Sequence, residues 1–207
     1  MDILAIANQK GGVGKTTTAV NLAAALAHRR KKVLLIDLDA QGNATTASGL
    51  DKRELDYSIA DVLLDELPIS EAIVKSEAGY DVVGANSELS GSDLSLSQKA
   101  ENYAILAKAM ASLKELSSKN GRPVKPYDYV IIDCAPSLSL LTINAMCATK
   151  GVIIPMQCEY YALEGLTDLV NTLKRIKQSL NRKIEIEGLL RTMFDPRSTL
   201  SQQVSEQ

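Results

Sequence analysis

Residues 8–18 read NQKGGVGKTTT, and the fold turns on what surrounds them. Residues 3–7 before them are a short apolar run of strand length, and residues 16–28 carry Ala and Leu at helical spacing. Between the two, Gly11, Gly12 and Gly14 let the backbone bend so that successive N–H groups point inward at an anion. The helix that opens near Lys15 adds the positive end of its dipole. Lys15 is then placed to reach the β- and γ-phosphates of a nucleotide as a point charge, and the Thr16 hydroxyl to ligate Mg²⁺.

The pattern departs from the usual GxxxxGK[ST] loop at one position, where Gln9 stands in place of the first glycine. In compensation the loop holds a second cation, Lys10, which a one-site phosphate cradle does not need.

Working outward, short apolar runs alternate with helical patterns, as βαβ units and a mostly parallel sheet require. Strands are expected at 3–7, 33–38, 80–84, 129–133, 151–155 and 184–192, and helices at 16–28, 59–64, 96–116, 139–148 and 163–180. Residues 41–50 read as a loop or helix start beside a ligand, and 117–126, with Gly121, Pro123 and Pro126, as a surface connection. The expected architecture is a doubly wound α/β sheet flanked by helices, the P-loop NTPase fold, with its ligand at the carboxyl ends of the strands.

Three acids end such strands. Asp37 and Asp39 close the run VLLIDLD, and strand alternation puts them on one face. Asp133 closes YVIID. An acid at the tip of a buried strand is expensive unless it serves a metal or a hydrogen-bond network. Asp133 therefore fits the Mg²⁺ shell, held through water.

Composition supports an ordinary globular protein. Of 207 residues 45% are hydrophobic and 23% charged, and 23 basic against 25 acidic residues give a net charge of −2. That balance excludes a surface that coats nucleic acid throughout. Residues 174–197 nevertheless carry seven basic residues against three acidic ones, a modest local patch that reads equally well as a solvated face. Cys134, Cys147 and Cys158 lie in or beside apolar stretches without metal-ligand spacing, and read as free buried thiols. No apolar run approaches a membrane span and no basic leader opens the chain, so a cytoplasmic protein without membrane attachment is expected.

The block KGGVGKTT at 10–17 is the deviant Walker A sequence, and the chain resembles the ParA/Soj partitioning ATPases of the wider group that includes MinD. The likeness extends through NLAAALA at 21–27, LLIDLDAQGNAT at 34–45, YVIIDCAPSL at 129–138 and GLLRTMFDPRSTLSQQV at 188–204. It implies one ATPase domain over 1–207 that stops short of the family's C-terminal segment. ATP and Mg²⁺ are implied as cofactors, held by Lys10, Gly11, Gly12, Val13, Gly14, Lys15, Thr16 and Thr17, with Thr192 and Met193 at the adenine. Thr16, Asp37 and Asp133 are implied around the metal.

In that family Lys10 is the signature lysine, reaching the nucleotide of a partner subunit in a dimer that sandwiches two ATP molecules. Asp39 positions the attacking water, Lys15 serves the phosphates, and the proline usual after the second acid of DLD is here Ala40. The resemblance further implies an ATP-dependent homodimer, non-specific double-stranded DNA with Arg197 as a contact, a ParB-type partner and association with the nucleoid. A MinD-like positioning ATPase and a nucleotide-binding module without turnover are the alternatives. An iron–sulfur carrier would need cysteines that bridge a cluster across a dimer.

Overall fold

The computed structural model describes residues 1–115, 126–159 and 162–206. Its centre is a set of apolar runs too short for helices: β1 (Asp2–Ile6), β2 (Val33–Leu38), β5 (Tyr129–Cys134) and β6 (Gly151–Gln157). Around them lie β3 (Ile73–Lys75), β4 (Asp81–Val83) and β7 (Glu185–Thr192). The seven strands form one sheet in the order β3-β4-β2-β5-β1-β6-β7. Every neighbouring pair is parallel except β3 with β4.

Strand alternation divides the core. From β2, Leu34, Ile36 and Leu38 join Val130 and Ile132 of β5 in a cluster with Ile59, Leu106, Ala145 and Leu173. These come from α3 (Ile59–Leu64), α5 (Ile105–Glu115), α6 (Leu140–Ala148) and α7 (Ala162–Ser179). Val33, Leu35 and Ile131 point the other way, onto Ala19 and Ala23 of α1 (Lys15–His28). Helices thus cover both faces, as the doubly wound reading requires. No helix among the described residues is long and apolar enough to cross a membrane.

One expectation needs correction. The single helix expected at 96–116 is two, α4 (Ser92–Ser97) and α5, separated by a turn in which Glu101 takes a left-handed conformation, φ 53°. The reason is tertiary: buried Asn144 donates to the Asn102 carbonyl (2.6 Å) and accepts from the Leu106 N–H (3.2 Å). It thereby satisfies backbone groups that a continuous helix would have paired internally. The tail forms α8 (Thr199–Glu206), where the Ser198 hydroxyl accepts from the Ser201 N–H (3.2 Å) and Val204 packs near Met156 and Cys158. Sequence reading overlooked β3 and α8, whereas the short α2 (Asn43–Ala47) is the helix start allowed for at 41–50. The connection expected at 117–126 lies, except for Pro126, outside the described residues.

Because β5 inserts between β1 and β2, the carboxyl ends of all three lie side by side. Asn144 anchors the layer behind them. Asn144→Ala leaves the buried Leu106 N–H and the part-buried Asn102 carbonyl without this partner and should cost roughly 2–4 kcal/mol, seen as a fall of about 5–15 °C in melting temperature. An unchanged melting curve would contradict this role.

Candidate functional site

The glycine-rich loop is stretched between neighbouring strands. At its start, Asn8 donates from Nδ2 to the Pro155 carbonyl of β6 (2.7 Å) and accepts the Lys10 N–H at Oδ1 (3.0 Å). At its end, the Thr192 hydroxyl of β7 donates to the Val13 carbonyl (2.8 Å). Gly12 and Gly14 sit at φ 74° and 86°, conformations that a Cβ strongly disfavours. Gly14 precedes the first residue of α1, and no side chain caps that end or places an acid in its first turn. The first N–H groups of the helix are left for an anion, with the dipole in favour.

Lys15 is only 7% exposed. Its Nζ donates to the Lys10 carbonyl (2.9 Å), and burial lowers its pKa while the charge of Asp133, above all, opposes that shift. Val13 is buried; Gly11, Gly12 and Thr17 are exposed at the loop and helix surface, and Thr16 lies next to Asp133.

Opposite stand the acids. Asp37 and Asp133 are paired in register across β2 and β5, so two carboxylates meet at one edge of the sheet. Their surroundings differ. Asp37 accepts from the Thr45 N–H (2.8 Å), the Thr45 hydroxyl (2.8 Å) and the Asp39 N–H (3.1 Å). Burial raises its pKa, and these bonds oppose the rise. Asp133 is 1% exposed, and neither of its oxygens finds a hydrogen bond of good geometry among the described residues. Its carboxyl is pushed up to about 7, chiefly by burial and further by the charges of Asp37 and Asp39, with the nearby Thr16 hydroxyl and Lys15 holding it back.

The residues expected around a metal, Thr16, Asp37 and Asp133, lie together in unlike surroundings. Asp37 is committed to ordering the turn that follows β2, and Asp133 has both oxygens to offer. Asp39 is half-buried in that turn, accepting the Gln41 N–H (2.9 Å). Thr45, which sequence reading passed over, holds Asp37 and accepts the Ala85 N–H (2.9 Å), tying the turn to the chain beyond β4. Its only signal was a hydroxyl among small residues after the paired acids.

Four further expected residues lie around the loop and beyond the end of β7. Thr192 braces the loop through Val13, and its methyl lies 3.5 Å from where a Cβ on Gly14 would sit. Met193 is 66% exposed with φ 51°, its sulfur accepting from Gln157 Nε2 (2.9 Å). Arg197 makes a two-pronged pair with Asp195, Nε to Oδ1 and Nη2 to Oδ2 at 3.0 Å each. Lys10, partly exposed, pairs its ammonium with Glu159, a residue sequence reading did not single out. The cysteines are free, Cys134 and Cys158 buried and Cys147 half-buried.

Comparison with known proteins gives the family of the chain. The family model described as an AAA domain matches residues 1–186. The chromosome partitioning protein ParA of Caulobacter vibrioides is 48% identical, over 99% of this chain and 74% of that protein. The sporulation initiation inhibitor protein Soj of Bacillus subtilis is 45% identical, over 99% of this chain and 78% of that one. Among solved structures, cobyrinic acid a,c-diamide synthase from Mycobacterium smegmatis with bound ADP and magnesium superposes with a TM-score of 0.90 at 38% identity. That match covers 100% of this chain and 80% of the other. With a deviant phosphate loop, paired acids in register and relatives of this identity over almost its whole length, the chain belongs to the ParA/Soj family of partitioning ATPases.

Proposed function

We propose that the protein is a Mg²⁺-dependent ATPase that works as an ATP-driven dimerisation switch in partitioning DNA. The observation that carries the reading is Asp133, a carboxylate buried to 1% exposure whose oxygens make no hydrogen bond of good geometry among the described residues, beside Lys15 and Thr16. A buried anion of this kind suits a cation supplied with the nucleotide. Mg²⁺, when bound, would neutralise charge on the phosphate oxygens. Thr16 and Asp133 would hold it, Asp133 through water. The loop from Lys10 to Thr17 and Lys15 would take the phosphates, Asp39 would orient the attacking water, and Asp37 would keep Asp39 in place through the turn. Thr192 and Met193 would border the adenine.

Lys10 is the part that one subunit does not require. Across a closed dimer it would reach the partner's nucleotide and add positive charge where the transition state gathers negative charge. ATP would close the pair, the closed pair would bind double-stranded DNA without regard to sequence, and hydrolysis stimulated by a ParB-type partner would release it. Such a protein works in the cytoplasm, on the nucleoid when ATP is bound.

The DNA surface would be the patch at 174–197. Within it Lys177 is engaged by Glu185 (3.4 Å), Arg197 by Asp195, and Arg191 stacks on Phe194 at 4.6 Å. Lys174, Arg175, Arg182 and Lys183 are exposed and form no ion pair among the described residues. These four supply most of the free charge of the patch.

Three outcomes are expected. In light scattering with ATP and Mg²⁺, Asp39→Ala accumulates dimer and Lys10→Ala stays monomeric; monomers under every condition would defeat the switch. Asp133→Asn relieves the burial and the repulsion from Asp37 and Asp39 that push its carboxyl up to about 7, so its melting temperature holds or rises, while Mg²⁺-dependent turnover falls by about 100-fold or more. Turnover that survives the substitution would remove Asp133 from the site. Binding of the ATP dimer to unrelated duplexes falls roughly 1000-fold between 50 and 200 mM salt if six or more phosphates are contacted. The double change Arg182→Ala and Lys183→Ala weakens it more than Arg197→Ala, and a flat salt response would sink the DNA proposal.

A further inference from the structure

We propose that Glu159 is a counter-ion in its own chain for Lys10, a latch that must open before the lysine can serve a partner subunit. The inference rests on the reading of Lys10 as the residue that crosses a closed dimer. Lys10 Nζ and the Glu159 carboxylate form a direct ion pair, with the side chains 40% and 52% exposed.

The chain holds both ends of this pair in place. The Lys10 N–H donates to Asn8, itself bonded to Pro155 of β6, and the Lys10 carbonyl accepts from Lys15. Glu159 follows the tip of β6, where its N–H donates to the Gln157 carbonyl (2.9 Å). Since β1 and β6 are hydrogen-bonded neighbours, the loop leaving one strand passes the acid leaving the other. The main chain of Lys10 is fixed at both of its polar groups, and its side chain is the part able to swing.

One ammonium cannot serve a carboxylate of its own chain and phosphates of another subunit at full strength. Pairing with Glu159 therefore competes with closure. The exposure of the pair sets the scale: an ion pair in contact with water shifts an equilibrium by about two- to fivefold. Such a latch is weak enough for nucleotide to open and strong enough to discourage closure by chance encounter. Two latches open per dimer, so the effect on the dimer dissociation constant is the square, about 4- to 25-fold.

The test uses the full chain in the Asp39→Ala background, so that hydrolysis does not drain the dimer. Light scattering across a protein dilution series, with saturating ATP and Mg²⁺, compares Glu159 with Glu159→Gln. The latch predicts about 4- to 25-fold tighter dimerisation for Glu159→Gln, a difference that shrinks as salt rises toward about 0.5 M, with unchanged melting temperature. Equal or weaker dimerisation in Glu159→Gln, while Asp39→Ala alone still dimerises, overturns the latch and leaves the switch standing. Failure of Asp39→Ala itself to dimerise overturns the switch, and the latch with it.

Discussion

The register between β2 and β5 is the constraint from which the rest of the site follows. Parallel pairing sets Asp37 opposite Asp133 at the carboxyl edge, and the apolar residues before each acid leave water no access. Two like charges in one dry place repel, and burial penalises each of them further. The protein meets the difficulty unequally. Asp37 is stabilised by three hydrogen bonds from its own chain. Asp133 is answered at longer range by Lys15 and by the positive end of α1. The asymmetry leaves Asp37 bound into the turn after β2 and Asp133 without a hydrogen bond of good geometry among the described residues.

That division depends on the loop staying where it is, and a glycine-rich segment does not hold itself. Flexibility at Gly12 and Gly14 is needed for the inward N–H groups, yet it adds to the entropy that ordering the loop must overcome. The bonds from Asn8 to β6 and from Thr192 to Val13 offset that cost from two different strands. The sheet order explains why this is possible, because β6 and β7 lie beyond β1 on the side away from β2. One side of the sheet steadies the phosphate loop while the other presents the acids.

The same topology explains what could be read from the sequence. The strand, loop and helix around residues 8–18, the acids at strand ends and the two-faced sheet are local patterns: glycine placement, continuous apolar runs, a charge closing each run. The break between α4 and α5 was not legible, because the residue that imposes it, Asn144, lies about 40 positions away on α6. Thr45 was equally hidden, since its importance comes from reaching Asp37 on one side and Ala85 on the other. Thr192 was placed near the nucleotide by resemblance, but its role as a brace on Val13 depends on a contact across 179 positions. Local chemistry is legible in one dimension, whereas the supports that hold it are long-range contacts.

The two lysines of the loop carry this distinction to its end. Lys15 is buried, points back to the Lys10 carbonyl and faces Asp133, so its charge is spent inside one chain. Lys10 is five residues earlier, outside the cradle, with a partly exposed side chain whose only ion-pair partner among the described residues is an acid on a neighbouring turn. A cation kept at the rim costs little to redirect, since water already shares in its solvation. A buried one could not be turned outward without leaving Asp133 uncompensated. The physical requirement for a site completed by a second subunit is therefore a charge that its own chain holds weakly, and of the two lysines in this loop only Lys10 meets it.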